Sequence, residues 1–75
     1  MVSKASYQKK FGKNVKKIRL EKKFSQERLA YNAELSVFTI SQIELGKLCP
    51  LLTTAHQIAK ALGVSLSELT EDIEI

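Results

Sequence analysis

Two short helices joined by a tight turn, each opened by a serine, can be read from Ser25–Leu45, SQERLAYNAELSVFTISQIEL. Ser25 and Ser36 each precede a run of helical spacing. A serine hydroxyl at such a position accepts a hydrogen bond from a free backbone N–H of the next turn. The first run, about Gln26 to Ala33, turns Leu29, Ala30 and Ala33 to one face. The second, about Val37 to Leu45, turns Ile40 and Ile43 inward, and Gly46 ends it as a residue that tolerates positive φ. Glu34-Leu35 makes the turn between them.

The remaining sequence supplies helices for this pair to pack on. A first helix is predicted from Ser6 to Lys22, with Phe11, Val15, Ile18 and Leu20 near helical spacing. Lys9, Lys10, Lys13, Lys16 and Lys17 fall on its solvent side, and Gly12 sits inside it at a cost of about 1 kcal/mol relative to alanine. After the Lys47–Pro50 loop, a fourth helix runs from Leu52 to Leu62 with Ile58, Ala59 and Leu62 inward, and Gly63 stops it. Ser65-Leu66-Ser67-Glu68 is a capping box that opens a fifth helix, Leu66 to Asp72. Residues 1–5 read as a flexible basic arm, and residues 6–75 as a single domain with a short C-terminal tail. The fold class expected is a compact all-α, five-helix domain without strands.

Charge is divided along the chain. Residues 1–28 carry ten Lys/Arg against two Glu, and residues 29–75 carry two Lys against six Asp/Glu. A basic front half fits a polyanionic partner, and equally a solubilising lysine face. With Cys49 alone, no intrachain disulfide forms, which fits a reducing compartment, and the location expected is the cytoplasm. No apolar run approaches the roughly 18 residues of a membrane span, and the lysines at the N-terminus have no apolar segment behind them. An enzyme is not expected, because no nucleophile, base and oxyanion group converge. His56 has no Cys/His partner at ligand spacing and reads as a surface helix residue, Cys49 as an incidental thiol, and Tyr31 as a surface or packing residue. Glu71, Asp72 and Glu74 read as a solvated tail. No cofactor, metal or small-molecule ligand is indicated.

Two helices meeting through a three- or four-residue turn can place one of them against a DNA major groove. The packing requirements are met: Ala30 is small at the crossing, Leu35 anchors the turn, and Ile40 and Ile43 tie the second helix to the core. The remaining face of that helix is Val37, Phe38, Ser41 and Gln42, with Thr39 at its edge, and none is charged. Glutamine can bond bidentately to adenine, serine reaches several base edges, and apolar side chains pack on the thymine methyl. Phe38 is either such a methyl contact or a side chain folded back on the core. The lysines nearby can neutralise phosphate without reading sequence. Gln26 opens its helix, where free N–H groups and the helix dipole favour a phosphate.

Residues 11–69 resemble the Cro/CI-type (Xre) helix-turn-helix family of phage repressors and small bacterial regulators. The resemblance is carried by FGKNVKKIRLEKKFSQERLA, by LSVFTISQIELGK, and by a proline followed by IAKALGVSLSEL. It implies a phage-repressor-like domain whose second and third helices form the helix-turn-helix. The implied function is a sequence-specific regulator of transcription, a repressor, bound as a homodimer to a pseudo-palindromic operator in double-stranded DNA. By carry-over, Val37, Phe38, Ser41 and Gln42 would face bases, while Gln26, Ser36, Thr39 and Lys47 would lie on the backbone. Arg19 and Glu44 occupy the positions of a structural ion pair. Three positions depart from the family pattern: Glu34 where glycine is usual, Leu51 where serine or threonine caps the fourth helix, and Ala55 where a larger apolar residue is usual.

Leu66, Leu69, Ile73 and Ile75 exceed what five short helices easily bury. Leu66 and Leu69 are expected partly in the core and Ile73 and Ile75 at a dimer contact formed by the C-terminal helix and tail. A second class of function uses the same scaffold differently: a protein-interaction module or antitoxin whose third helix grips another protein through Val37 and Phe38.

Overall fold

The computed structural model describes residues 4–73, which form five α-helices: α1 (Lys4–Glu21), α2 (Gln26–Ala33), α3 (Val37–Glu44), α4 (Leu52–Leu62) and α5 (Leu66–Leu69). No strand occurs among the described residues. No helix among the described residues is long and apolar enough to cross a membrane. Each helix sends a fully buried side chain into one core: Phe11 and Val15 from α1, Leu29 from α2, Ile40 and Ile43 from α3, Ile58 from α4 and Leu69 from α5. Gln57 Nε2 donates to the Ala33 carbonyl at 3.1 Å, which ties α4 to the end of α2.

The helix ends show how local chemistry sets the chain path. α1, α2, α3 and α4 all stop in one way. A left-handed residue follows each, and the next N–H reaches back to a carbonyl of the last turn. The left-handed residues are Lys23 (φ 61°), Glu34 (φ 59°), Gly46 (φ 75°) and Gly63 (φ 71°). The returning bonds are Phe24 N–H to Arg19 O at 3.0 Å, Leu35 to Ala30 at 2.9 Å, Lys47 to Gln42 at 2.9 Å and Val64 to Ala59 at 3.0 Å. Phe24, Leu35 and Val64 are apolar and pack partly buried against the core. Such contacts commonly accompany this helix ending.

Glu34 therefore takes the backbone conformation that glycine usually supplies, and an L side chain there costs about 1 kcal/mol. As the C-cap it also puts an acidic residue at the negative end of the α2 dipole. Glu34→Gly is expected to raise stability by about 1 kcal/mol, a gain of roughly 4–8 °C in Tm for a domain of this size. An unchanged or lowered Tm in a thermal melt would contradict the assigned strain.

Several expectations are corrected. Lys4 and Ala5 belong to α1 rather than to an arm, and residues 1–3 lie outside those described. Tyr7 accounts for the earlier start: its ring stacks on Phe11 with centroids 6.4 Å apart, extending the apolar stripe by a turn. Leu20 is exposed rather than inward, and its neighbour Arg19 is the buried residue. α3 ends at Glu44, with Leu45 as its exposed C-cap. α5 ends at Leu69 rather than Asp72, because Asn14 Nδ2 takes the carbonyls of Leu69 and Glu71 at 2.8 and 2.9 Å. The Thr70 hydroxyl also donates to the Leu66 and Ser67 carbonyls.

That ending changes the reading of the tail. Leu69 is 0% exposed and has no surface to offer a partner. Leu66 and Ile73 are half-buried and pack against the core, and Ile75 lies outside the described residues. Leu66, Leu69 and Ile73 thus all contribute to the core of one chain.

Leu51, at the N-cap of α4, makes no side-chain cap hydrogen bond. Ser, Thr, Asp or Asn at such a position contributes about 1 kcal/mol. Ala55, where a larger apolar residue is usual in the family pattern, is buried in the core.

Candidate nucleic-acid interface

The position of α3 is fixed from its C-terminal end. Gly12 of α1 faces that end directly. A Cβ on Gly12 would fall onto the Ile43 carbonyl oxygen and within 2.9 Å of the Glu44 oxygen. The glycine read from sequence as a cost is what lets α1 and α3 touch backbone to backbone. One turn earlier on α1, Lys9 meets Gly46: a Cβ on Gly46 would lie 2.9 Å from the Lys9 Cα. Gly46 is thus required twice, by its φ of 75° and by this approach.

A buried polar network clamps the same end. The Arg19 guanidinium grips Glu44 with two bonds, Nε to Oε2 at 2.6 Å and Nη2 to Oε1 at 3.1 Å. Its Nη1 donates to the Phe24 carbonyl at 2.7 Å. Gln26 Nε2 donates to Glu44 Oε1 at 3.0 Å. The side chains of Arg19 and Glu44 are 9% and 3% exposed. This forked geometry matches guanidinium to carboxylate. One network therefore joins α1, the α1–α2 turn, the start of α2 and the end of α3, setting the angle at which α3 leaves the body. Arg28 lies over the Phe24 ring at 5.1 Å, which holds the α1–α2 turn from outside.

The N-terminal part of α3 is left to solvent. Val37 is 42% exposed and Phe38 72%. Phe38 is not folded back on the core. Ser41 and Gln42 are half-buried one turn further along, so positions 37, 38, 41 and 42 share a face opposite Ile40 and Ile43. Ser36 Oγ accepts from the Thr39 N–H at 3.0 Å and sits 2.8 Å from Thr39 Oγ1, so both hydroxyls are engaged at the cap. Lys47 is exposed just beyond the other end, in the turn against which Lys9 packs. The result is an uncharged helix face between capped hydroxyls at one end and lysines at the other.

Sequence reading identified the face and missed part of its mounting. Gln26 was assigned by resemblance to the DNA backbone, and its amide also braces Glu44. The Gly12 contact left no signal beyond a glycine inside a helix. The exposed leucines of the α3–α4 connection were missed as well. The helical spacing puts Leu45 inside the third helix, and Leu51 stands out in the sequence only as a lost cap. Their signal was the run Leu48–Ala55, which contains no charged residue. No group of His, Cys, Asp and Glu able to hold a metal occurs among the described residues.

The profile of the HTH_3 helix-turn-helix family matches residues 15–69. Among curated proteins, the chain is 42% identical over 66 residues to control protein C.MunI from Mycoplasma sp, covering 87% of this chain and 89% of that one. It is also 42% identical over 62 residues to control protein C.BamHI from Bacillus amyloliquefaciens, covering 81% and 76%. Among solved structures, it resembles the restriction-modification controller protein C.AhdI from Aeromonas hydrophila, with a TM-score of 0.81 and 31% identity over 83% of this chain and 94% of that one.

Proposed function

The chain belongs to the HTH_3 helix-turn-helix family of DNA-binding transcription regulators, and from that premise we propose that it acts as a homodimeric, operator-binding repressor of the restriction–modification controller type. One observation carries the reading: the uncharged, solvent-facing face of α3, Val37, Phe38, Ser41 and Gln42, held rigidly at its far end. In this reading α3 lies in the major groove. Gln42 and Ser41 bond base edges, and Val37 and Phe38 pack on thymine methyls. Gln26, Ser36, Thr39 and Lys47 contact the backbone, and the α1 lysines add charge. Two copies read half-sites about one helical turn, roughly 34 Å, apart. Repression follows from occupying a promoter that overlaps the operator, and the site of action is the cytoplasm. The family is a non-enzymatic class, so control rests on how much protein is present and where it binds.

The affinity should rest on phosphate neutralisation. Binding to random duplex DNA is expected to weaken with salt, with a log–log slope of roughly −4 to −5 for about five phosphate contacts. A fluorescence-anisotropy titration between low and moderate salt measures it. A flat slope, or no binding at low salt, would sink this reading. The 72% exposure of Phe38 favours one other reading, a protein-interaction module or antitoxin, and such a module would show that flat result.

A further inference from the structure

The first turn of α3 turns hydrocarbon outward. Val37 and Phe38 are 42% and 72% exposed, and neither belongs to the core. The hydroxyls beside them are engaged with each other: Ser36 Oγ accepts from the Thr39 N–H and lies 2.8 Å from Thr39 Oγ1. Positions 37, 38, 41 and 42 hold no Arg or Lys to bond guanine, and no Asp or Glu to accept from the cytosine amino group. A phenyl ring left in water without a gain inside the fold points to a demand from outside it. In a major groove the apolar feature that meets such a ring is a methyl group on a pyrimidine C5.

We propose that Phe38 reads the C5 methyl group itself rather than the thymine that carries it, so that α3 accepts 5-methylcytosine in place of thymine and operator binding responds to cytosine methylation. The inference rests on the operator-binding reading of α3 and adds a means of regulating it. Thymine and cytosine differ in the major groove at two places: O4 against the N4 amino group, and methyl against hydrogen at C5. A phenyl ring has no donor for O4 and no lone pair for the amino group, so the first difference goes unread at Phe38. The second remains, and 5-methylcytosine carries the same methyl group in the same place as thymine. Ser41 and Gln42 lie one turn further along α3, where their hydroxyl and amide meet a different base edge. Val37 is the less exposed of the two apolar residues, which makes Phe38 the principal contact. Burying one methyl group is worth about fourfold in affinity, which sets the size of the response at each half-site. Methylation of a cytosine facing Phe38 thus turns a poorer half-site into a better one with no change of base pair.

The test uses the full chain and a duplex selected from a random pool, altered in one half-site and titrated by fluorescence anisotropy. Deoxyuridine is put in place of each thymine in turn, which removes a methyl group and leaves base pairing alone. Wild type should lose about fourfold at the thymine that faces Phe38. Phe38→Ala should bind thymine and deoxyuridine there within about twofold, since it has no ring to meet the methyl group. Phe38 is a surface residue, so this variant should melt within about 4 °C of wild type. At the same position the T·A pair is then exchanged for C·G, without and with a methyl group on cytosine C5. Wild type should bind the methylated pair roughly threefold tighter or more, and Phe38→Ala should bind the two alike. A wild type that binds deoxyuridine as well as thymine at every position, or 5-methylcytosine no better than cytosine, would overturn the proposal and leave operator binding intact. So would a methyl response that persists in Phe38→Ala. A wild type that binds the selected duplex no tighter than random DNA would remove the operator-binding reading, and the inference with it.

Discussion

Gly12→Ala is expected to destabilise the domain by about 3 kcal/mol and to lower its Tm by more than 10 °C. A methyl group on Gly12 has no room, since it would occupy the position of the Ile43 carbonyl and press on that of Glu44. Both obstacles are helix backbone, which cannot rotate aside as a side chain can. α1 and α3 must separate, and the cores of both, Phe11 and Val15 on one and Ile40 and Ile43 on the other, separate with them. The intrinsic preference of alanine for helix, worth about 1 kcal/mol over glycine, works in the opposite direction and is outweighed. A melt in which Gly12→Ala matches or exceeds wild type would show that the two helices do not meet as closely as described. Operator affinity should fall in any folded remnant, because the same contact aims α3.

The second large effect concerns the polar clamp. Arg19→Leu leaves the Glu44 carboxylate, 3% exposed, without its guanidinium and with Gln26 as its remaining partner. Breaking one half of a buried pair costs about 3–5 kcal/mol. A domain of this length has a total stability of about 4–11 kcal/mol, so the variant should lose a large share of it and melt well below wild type. The Arg19→Leu/Glu44→Met double variant should recover most of the loss, because no unpaired charge remains buried. It should not recover operator affinity to the same degree, since the hydrogen bonds that join α1, the α1–α2 turn and α2 to α3 are gone. Urea melts and operator titrations on the three proteins separate the two effects. A double variant no more stable than Arg19→Leu would mean that packing, rather than an uncompensated charge, dominates this site.

These two predictions also show what the sequence could disclose. Helix identity was legible because each helix has an independent local signal: serine caps at Ser25, Ser36 and Ser65, stops at Gly46 and Gly63, and inward residues at helical spacing. The start of α2 at Ser25 and the end of α4 at Gly63 follow from those signals. α5 did not end where periodicity suggested, because Asn14, 55 positions from Leu69 in sequence, takes its last carbonyls. Lys23 took a left-handed conformation with no glycine to announce it. Gly12 is the sharpest case: helix propensity treats it as a flaw, and only the approach of α3 shows the need for it. The outward face of α3 was legible because its composition is unusual, uncharged beside a lysine-rich helix. The place of Leu66 and Leu69 in the core was legible in part, from the number of apolar residues near the C-terminus, although Leu69 is wholly rather than partly buried.

The central claim is that α3 reads base sequence through an uncharged face while affinity comes from charge elsewhere. Its most direct test is the effect of Gln42→Ala on two affinities measured at one salt concentration, one for a duplex selected from a random pool and one for random DNA. Loss of a bidentate base contact is worth about 1–3 kcal/mol, so binding to the selected duplex should fall roughly 5- to 150-fold for each half-site it contains. Binding to random DNA should change by less than about twofold, because no phosphate contact is removed. Equal losses on both duplexes, or no loss on the selected one, would contradict the claim that this face of α3 reads DNA sequence.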